Sequence, residues 1–123
     1  MNNKRTTVVL GASTNSTRYS YLAINRLLQH HFPVIAIGNK KGFVSGKEIQ
    51  PYFSKQKDIH TITIYINAHH QKNYYDYIFS LNPKRIIFNP GAENDELFDL
   101  AKLKGIEVLE ACTLVMLSTG QYF

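Results

Sequence analysis

Five short apolar runs, Thr7–Leu10, Pro33–Ile37, Thr61–Ile66, Arg85–Phe88 and Glu107–Leu109, constrain this chain more than any other feature. None alternates strictly between apolar and polar residues, so each reads as a strand buried on both faces, the condition of a parallel sheet. Helical patterns lie between them. Ser20 to Phe32 places Ala23 and Leu27 on one face, Gln71 to Leu81 does the same with Tyr74, Ile78 and Leu81, and Asn94 to Lys104 with Leu97 and Ala101 ends at Gly105. The segment Gly42 to Asp58, with Ser45-Gly46-Lys47-Glu48-Ile49 before Pro51, reads as a loop carrying one short helix. Strand and helix in alternation predict an α/β fold, a doubly wound parallel sheet of five strands in the order 3-2-1-4-5 with helices on both faces. At 123 residues the chain fits one domain, 1–123.

In such a sheet ligands bind outside the carboxyl ends of the strands, near the topological switch. The residues that follow the strands suit that role: Gly11 to Arg18, then Gly38-Asn39-Lys40-Lys41-Gly42, then Asn67 and Ala68, then Asn89-Pro90-Gly91. The first loop has the grammar of a phosphate site. Gly11 allows a tight turn and close approach, while Ser13, Thr14 and Asn15 can cap the next helix and leave its first amides facing an anion. Fourteen Lys and Arg against nine Asp and Glu give a formal charge of +5, which favours an anionic ligand. The basic residues are scattered rather than arranged in a stripe, which argues against nucleic acid.

The full G-x-G-x-x-G fingerprint is missing, since Ser13 and Ser16 replace its second and third glycines, and no G-K-[ST] follows. The end of strand 2 offers Asn39, Lys40 and Lys41 where a plain NAD site needs an acid. Two lysines there suit a ribose that carries a phosphate, as in NADP or coenzyme A, and charge alone leaves both open. A solvated turn is the competing account of the pair.

With Gly11-Ala12-Ser13, Asn15, Arg18, Ser20 and Tyr21, with Val34-Ile35-Ala36-Ile37 leading to Lys40, with Gly46 and Pro51, and with Asn89-Pro90-Gly91-Ala92-Glu93-Asn94 before Gly105-Ile106, the chain resembles the small single-domain CoA-binding proteins. Their Rossmann-like domain is similar to the CoA-binding domain of the succinyl-CoA synthetase alpha subunit. The resemblance covers nearly the whole chain. It implies that the amides and hydroxyls around Gly11, Ala12 and Ser13 meet a diphosphate with Arg18 beside it, that Lys40, flanked by Asn39 and Lys41, lies near the ribose phosphate, and that Ile66, Asn67, Pro90 and Gly91 border the adenine or the pantetheine arm. Two departures stand out. The family reads Asn-Pro where this chain has Gly38-Asn39, which alters the adenosine pocket, and it has a glycine near the end of helix 1 where this chain has His31.

Catalytic candidates are thin. The pairs His30-His31 and His69-His70 point apart and lack further ligands at metal spacing. Glu93, Asp95 and Glu96 fit the start of a helix capped by Asn94 better than an acid–base pair. Cys112 could face the crevice, although a lone cysteine is more often a small core residue. The spacing of Tyr74, Tyr75 and Tyr77 fits packing between helix and sheet.

The reading is therefore a protein that binds coenzyme A or acyl-CoA without catalysis of its own. The alternatives are an NADP-binding reductase or redox-sensing module, and a regulatory subunit or adaptor tuned by the cofactor. In the last case the apolar tail Thr113 to Phe123 would serve as an interface with a second copy or another protein, or would pack on its own sheet. One cysteine, no signal peptide and no apolar run of transmembrane length place the expected setting in the cytoplasm, away from membranes.

Overall fold

The computed structural model describes residues 5–123. Strands β1 (Thr6–Leu10), β2 (Val34–Ile37), β5 (Ile59–Ile64), β6 (Arg85–Phe88) and β7 (Glu107–Glu110) form where the apolar runs lie. Two further strands, β3 (Phe43–Val44) and β4 (Lys47–Gln50), complete a seven-stranded sheet in the order β3-β4-β2-β1-β5-β6-β7. All neighbours pair in parallel except β3 and β4, which form an antiparallel hairpin.

This corrects the expected five strands and the place of one of them. The Thr61–Ile66 run does not lie beside β2. As β5 it pairs with β1, with Val8 opposite Ile62 and Leu10 opposite Ile64. The position beside β2 belongs to β4, where Ala36 faces Ile49. The segment 42–58 therefore holds a hairpin and an irregular strap, 51–58, instead of a short helix. Its strands are short and polar, and Val44 and Ile49 alone are buried among them, so an edge hairpin gives little periodic signal. The order reverses between β1 and β5, the place at which sheets of this kind bind ligands.

Helices α1 (Tyr19–Gln29) and α5 (Thr113–Ser118) cover one face. α3 (Tyr75–Ser80), preceded by the single turn α2 (Ala68–Gln71) and a 3₁₀ turn (Lys72–Tyr74), covers the other together with α4 (Asp95–Leu103). Alternate residues of one strand serve the two cores: Val8 and Leu10 pack with Ile78, Leu81, Leu97 and Ala101, while Val9 packs with Ile24, Leu27 and Leu117. That division explains the unbroken apolar runs, because both sides of the sheet are dry.

The tail folds back on its own sheet: Leu117 and Tyr122 are buried in the α1 side core, and the Tyr122 hydroxyl meets Thr7 Oγ1 at 2.6 Å. Asn94 caps α4 by accepting from the Leu97 amide at 3.1 Å, with Asp95 and Glu96 in the first turn. His31, at the family's glycine position, has φ 64°, the left-handed conformation glycine takes without strain.

Candidate functional site

Three glycines set how the loops above the carboxyl ends meet. A Cβ on Gly38 would lie 2.3 Å from the Ala12 carbonyl oxygen, and one on Gly42 would lie 2.4 Å from Thr14 Cγ2, so the loop after β2 rests on the loop after β1 with no room for side chains. Gly11 has φ 100°, and a Cβ there would meet Ile66 Cγ2 at 3.0 Å, which brings in the loop after β5. Gln71, fully buried, ties in the fourth loop. Its Nε2 donates to the Ile66 carbonyl at 2.8 Å and to the Ala92 carbonyl at 2.7 Å, and its Oε1 accepts from Asn94 Nδ2. The four loops thus meet above the carboxyl ends of the strands, and the rim they form is the candidate crevice.

The donors available in that crevice differ from the expected set. The amides of Gly11 and Ala12 both donate to the Ile37 carbonyl at 2.9 Å, so they are held by β2 and are not free for a ligand. Ser13, Thr14 and Asn15 do not cap α1. Ser13 Oγ accepts from the Asn15 amide, and Asn15 Oδ1 accepts from the amide and hydroxyl of Thr17, so these side chains shape the loop itself. The helix begins at Tyr19 with Arg18 in the N-cap position and no side chain bonded to its first amides. Such an end carries partial positive charge and unsatisfied N–H groups, and the exposed Arg18 adds a full charge beside it.

Lys40 and Lys41 are exposed between Gly38 and Gly42, both of which touch the β1 loop, so the pair is held at the side of the crevice with Asn39. The surrounding charge is one-sided: the first 47 residues contain no Asp or Glu, and the first acid of the chain is Glu48. That segregation is visible in the sequence, and whole-chain charge hides it. With β1, α1 and β2 free of carboxylates, the charge on that side of the switch favours an anion, and Glu93 stands on the β6 loop opposite.

On the other side of the switch the polar groups are spent on structure. Asn67 caps α2 by accepting from the His70 amide at 3.1 Å. Asn89, 2% exposed, donates to Thr63 Oγ1 and the Ile64 carbonyl and accepts from the Thr113 amide, which joins β5, β6 and α5. Pro90 and Gly91 are exposed at the rim; the Gly91 amide donates to Glu93. Ile66 is half-buried against Gly11 and offers an apolar edge. Tyr65 sits beneath this rim, its hydroxyl buried and unpartnered, and burial pushes its phenol well above the usual range.

Cys112 is half-buried at the N-cap of α5. Among the described residues no three His, Cys, Asp or Glu side chains are grouped so as to hold a metal, and no helix is long and apolar enough to cross a membrane. Gln71 was not legible as a site residue, because a glutamine in a tyrosine-rich helical segment looks like solvent-facing polarity.

A mostly parallel sheet with helices on both faces, and an uncapped helix start, an arginine and a lysine pair above its switch point, make this an α/β domain of the Rossmann-like kind. The chain belongs to the CoA binding domain family, whose model matches residues 5–118. A crystal structure of an uncharacterised protein is 46% identical, covering 98% of this chain and 100% of that one, with a TM-score of 0.94. A Thermus thermophilus structure, 17% identical, covers 97% of this chain and 91% of the other at a TM-score of 0.82. A hypothetical protein from Pyrococcus horikoshii is 20% identical, with coverage of 94% and 82% and a TM-score of 0.81. The last two share the fold. No curated protein matches the chain.

Proposed function

We propose that this protein binds coenzyme A or an acyl-CoA in the crevice above β1, β2 and β5, as a recognition module without chemistry of its own. The observation that carries this reading is the start of α1: its amides have no side-chain cap, Arg18 stands at the N-cap, and no carboxylate occurs anywhere in the first 47 residues. The diphosphate lies against these amides, Ser13, Thr14 and Arg18. Lys40, with Lys41 and Asn39 beside it, takes the ribose 3′-phosphate. Ile66 and the rim at Asn67, Pro90 and Gly91 border the adenine or the arm. Family membership supports the cofactor class.

The test is the shift in melting temperature with coenzyme A, dephospho-coenzyme A, NADPH and NADH. A ligand at about a hundred times its Kd adds about 2.7 kcal/mol to stability. Coenzyme A raises Tm, and the dephospho form raises it less. A rise with NADPH alone overturns the reading and promotes a reductase, whose weak point here is the lack of the second and third fingerprint glycines.

A further inference from the structure

The crossover from β4 to β5 is not helical. α1, α3 and α4 carry the β1–β2, β5–β6 and β6–β7 crossovers, but residues 51–58 form an irregular strap with one turn at Tyr52–Phe53. Between this strap and α3 lies a groove of about 700 Å³, within the size range of small-ligand sites. Phe53, Tyr77 and Leu81 supply apolar lining, and Lys55 and Lys57 on the strap face Asn73 and Asp76. Long lysine stems cover apolar surface while their charged heads stay in water.

Both chain segments that wall the groove leave the carboxyl edge of the sheet. The strap leaves Gln50, whose carbonyl accepts from the Gly38 amide at 3.0 Å. The other wall follows Ile66, which touches Gly11. At that shared end Tyr52 stacks on Tyr74, centroids 4.2 Å apart and planes 19° apart, and further along the Tyr77 hydroxyl donates to the Ser54 carbonyl at 2.7 Å, pinning strap to helix.

Phe53 is the unexplained residue. It holds φ 72°, a conformation disfavoured for a bulky side chain, and it is 63% exposed, with its ring 5.5 Å from those of Tyr74 and Tyr77. Core burial does not compensate this backbone, and strain of that kind collects where a ligand is handled.

We propose that this groove receives the apolar acyl chain of an acyl-CoA whose nucleotide end lies in the crevice, an inference that rests on the coenzyme A reading above. The crevice fixes the phosphates, the arm passes the Tyr52–Tyr74 stack, and the chain lies on Phe53, Tyr77 and Leu81. Affinity then depends on chain length, since each methylene taken fully out of water is worth roughly fourfold.

Calorimetric titration with coenzyme A, acetyl-CoA, hexanoyl-CoA and octanoyl-CoA tests this. The expected result is affinity rising with length, octanoyl-CoA binding at least about tenfold tighter than acetyl-CoA. Phe53→Ser, which removes the exposed ring, and Asn73→Trp, which fills the groove from its exposed wall, each abolish most of that gain and leave the Kd for coenzyme A unchanged. Equal affinity for all four ligands overturns the groove and leaves the coenzyme A reading standing. A length dependence that survives both substitutions also overturns it. Failure of coenzyme A itself to bind overturns the reading beneath it.

Discussion

Arg18 and Arg85 occupy opposite ends of the same sheet and are used in opposite ways. Arg18, above the carboxyl ends, is exposed beside helix amides that have no side-chain cap. Arg85, at the amino end of β6, is 5% exposed and turned inward: Nε donates to Thr61 Oγ1 at 3.0 Å, Nη1 donates to the Tyr122 carbonyl, Nη2 is buried without a partner, and the guanidinium lies 4.5 Å and 4.6 Å from the ring centroids of Tyr122 and Phe123. One end of the sheet keeps its donors for something outside the chain. The other turns its arginine inward onto β5 and the tail, and the difference separates an open edge from a closed one.

Gly38→Ala is the strongest challenge to that division, because it places a structural demand at the open end. The new Cβ would lie 2.3 Å from the Ala12 carbonyl oxygen, so backbone must move. We expect a loss of about 3–5 kcal/mol together with loss of coenzyme A binding. Unfolding in urea and titration of the surviving fold measure the two; a stable variant with normal affinity would show that the β1 and β2 loops do not need their close contact.

Arg85→Ala comes next. It removes two charge-assisted hydrogen bonds and the filling between two rings, worth together about 3 kcal/mol, or a fall in Tm of roughly 10 °C. Ligand affinity of the folded fraction should not change. Arg85→Met keeps the packing without the charge and recovers part of the loss. If Arg85→Ala weakens ligand binding more than it lowers Tm, the two ends are coupled and the comparison fails.

The same contrast explains what the sequence disclosed. The apolar runs of β1, β2, β5, β6 and β7 were legible because two dry faces demand continuous hydrophobicity. The β3–β4 hairpin was not, since Lys47, Glu48 and Gln50 lie at an edge where Ile49 alone needs burial, and missing it put β5 on the wrong side of β1. α5 was hidden in a tail whose residues give no charged face. Within the site, loop positions followed from the strands, but the use of each group did not: the Gly11 and Ala12 amides belong to the Ile37 carbonyl, and Asn67 belongs to a helix cap. Such assignments depend on which carbonyl passes nearby, and local pattern carries no record of that.

Arg18→Ala sharpens the comparison from the open side. Hydrogen bonds to charged groups contribute about 1.5–3 kcal/mol, so coenzyme A affinity should fall roughly tenfold to a hundredfold while the Tm of the free protein stays within about 1 °C. Unchanged affinity would move the diphosphate away from α1.

The smallest effect tests the closed end. His60 stands edge-on to Phe123, and burial, then Arg85, Arg5 and Lys84, lower its pKa below the usual value, against a weaker opposing pull from Glu107. The folded state therefore favours neutral imidazole. Below the ordinary value of 6.5 the unfolded chain takes up protons more readily than the native one, so this contribution is complete above pH 6.5 and is lost as pH falls through the lower native value. His60 is half-buried at the amino edge of the sheet, so between pH 7 and pH 5 its share of the Tm decrease should be only about 1 °C. His60→Gln removes that share. A pH slope that His60→Gln leaves untouched would mean that the cations around Phe123 do not act on this ring, and that the closed end is held by packing and neutral hydrogen bonds alone.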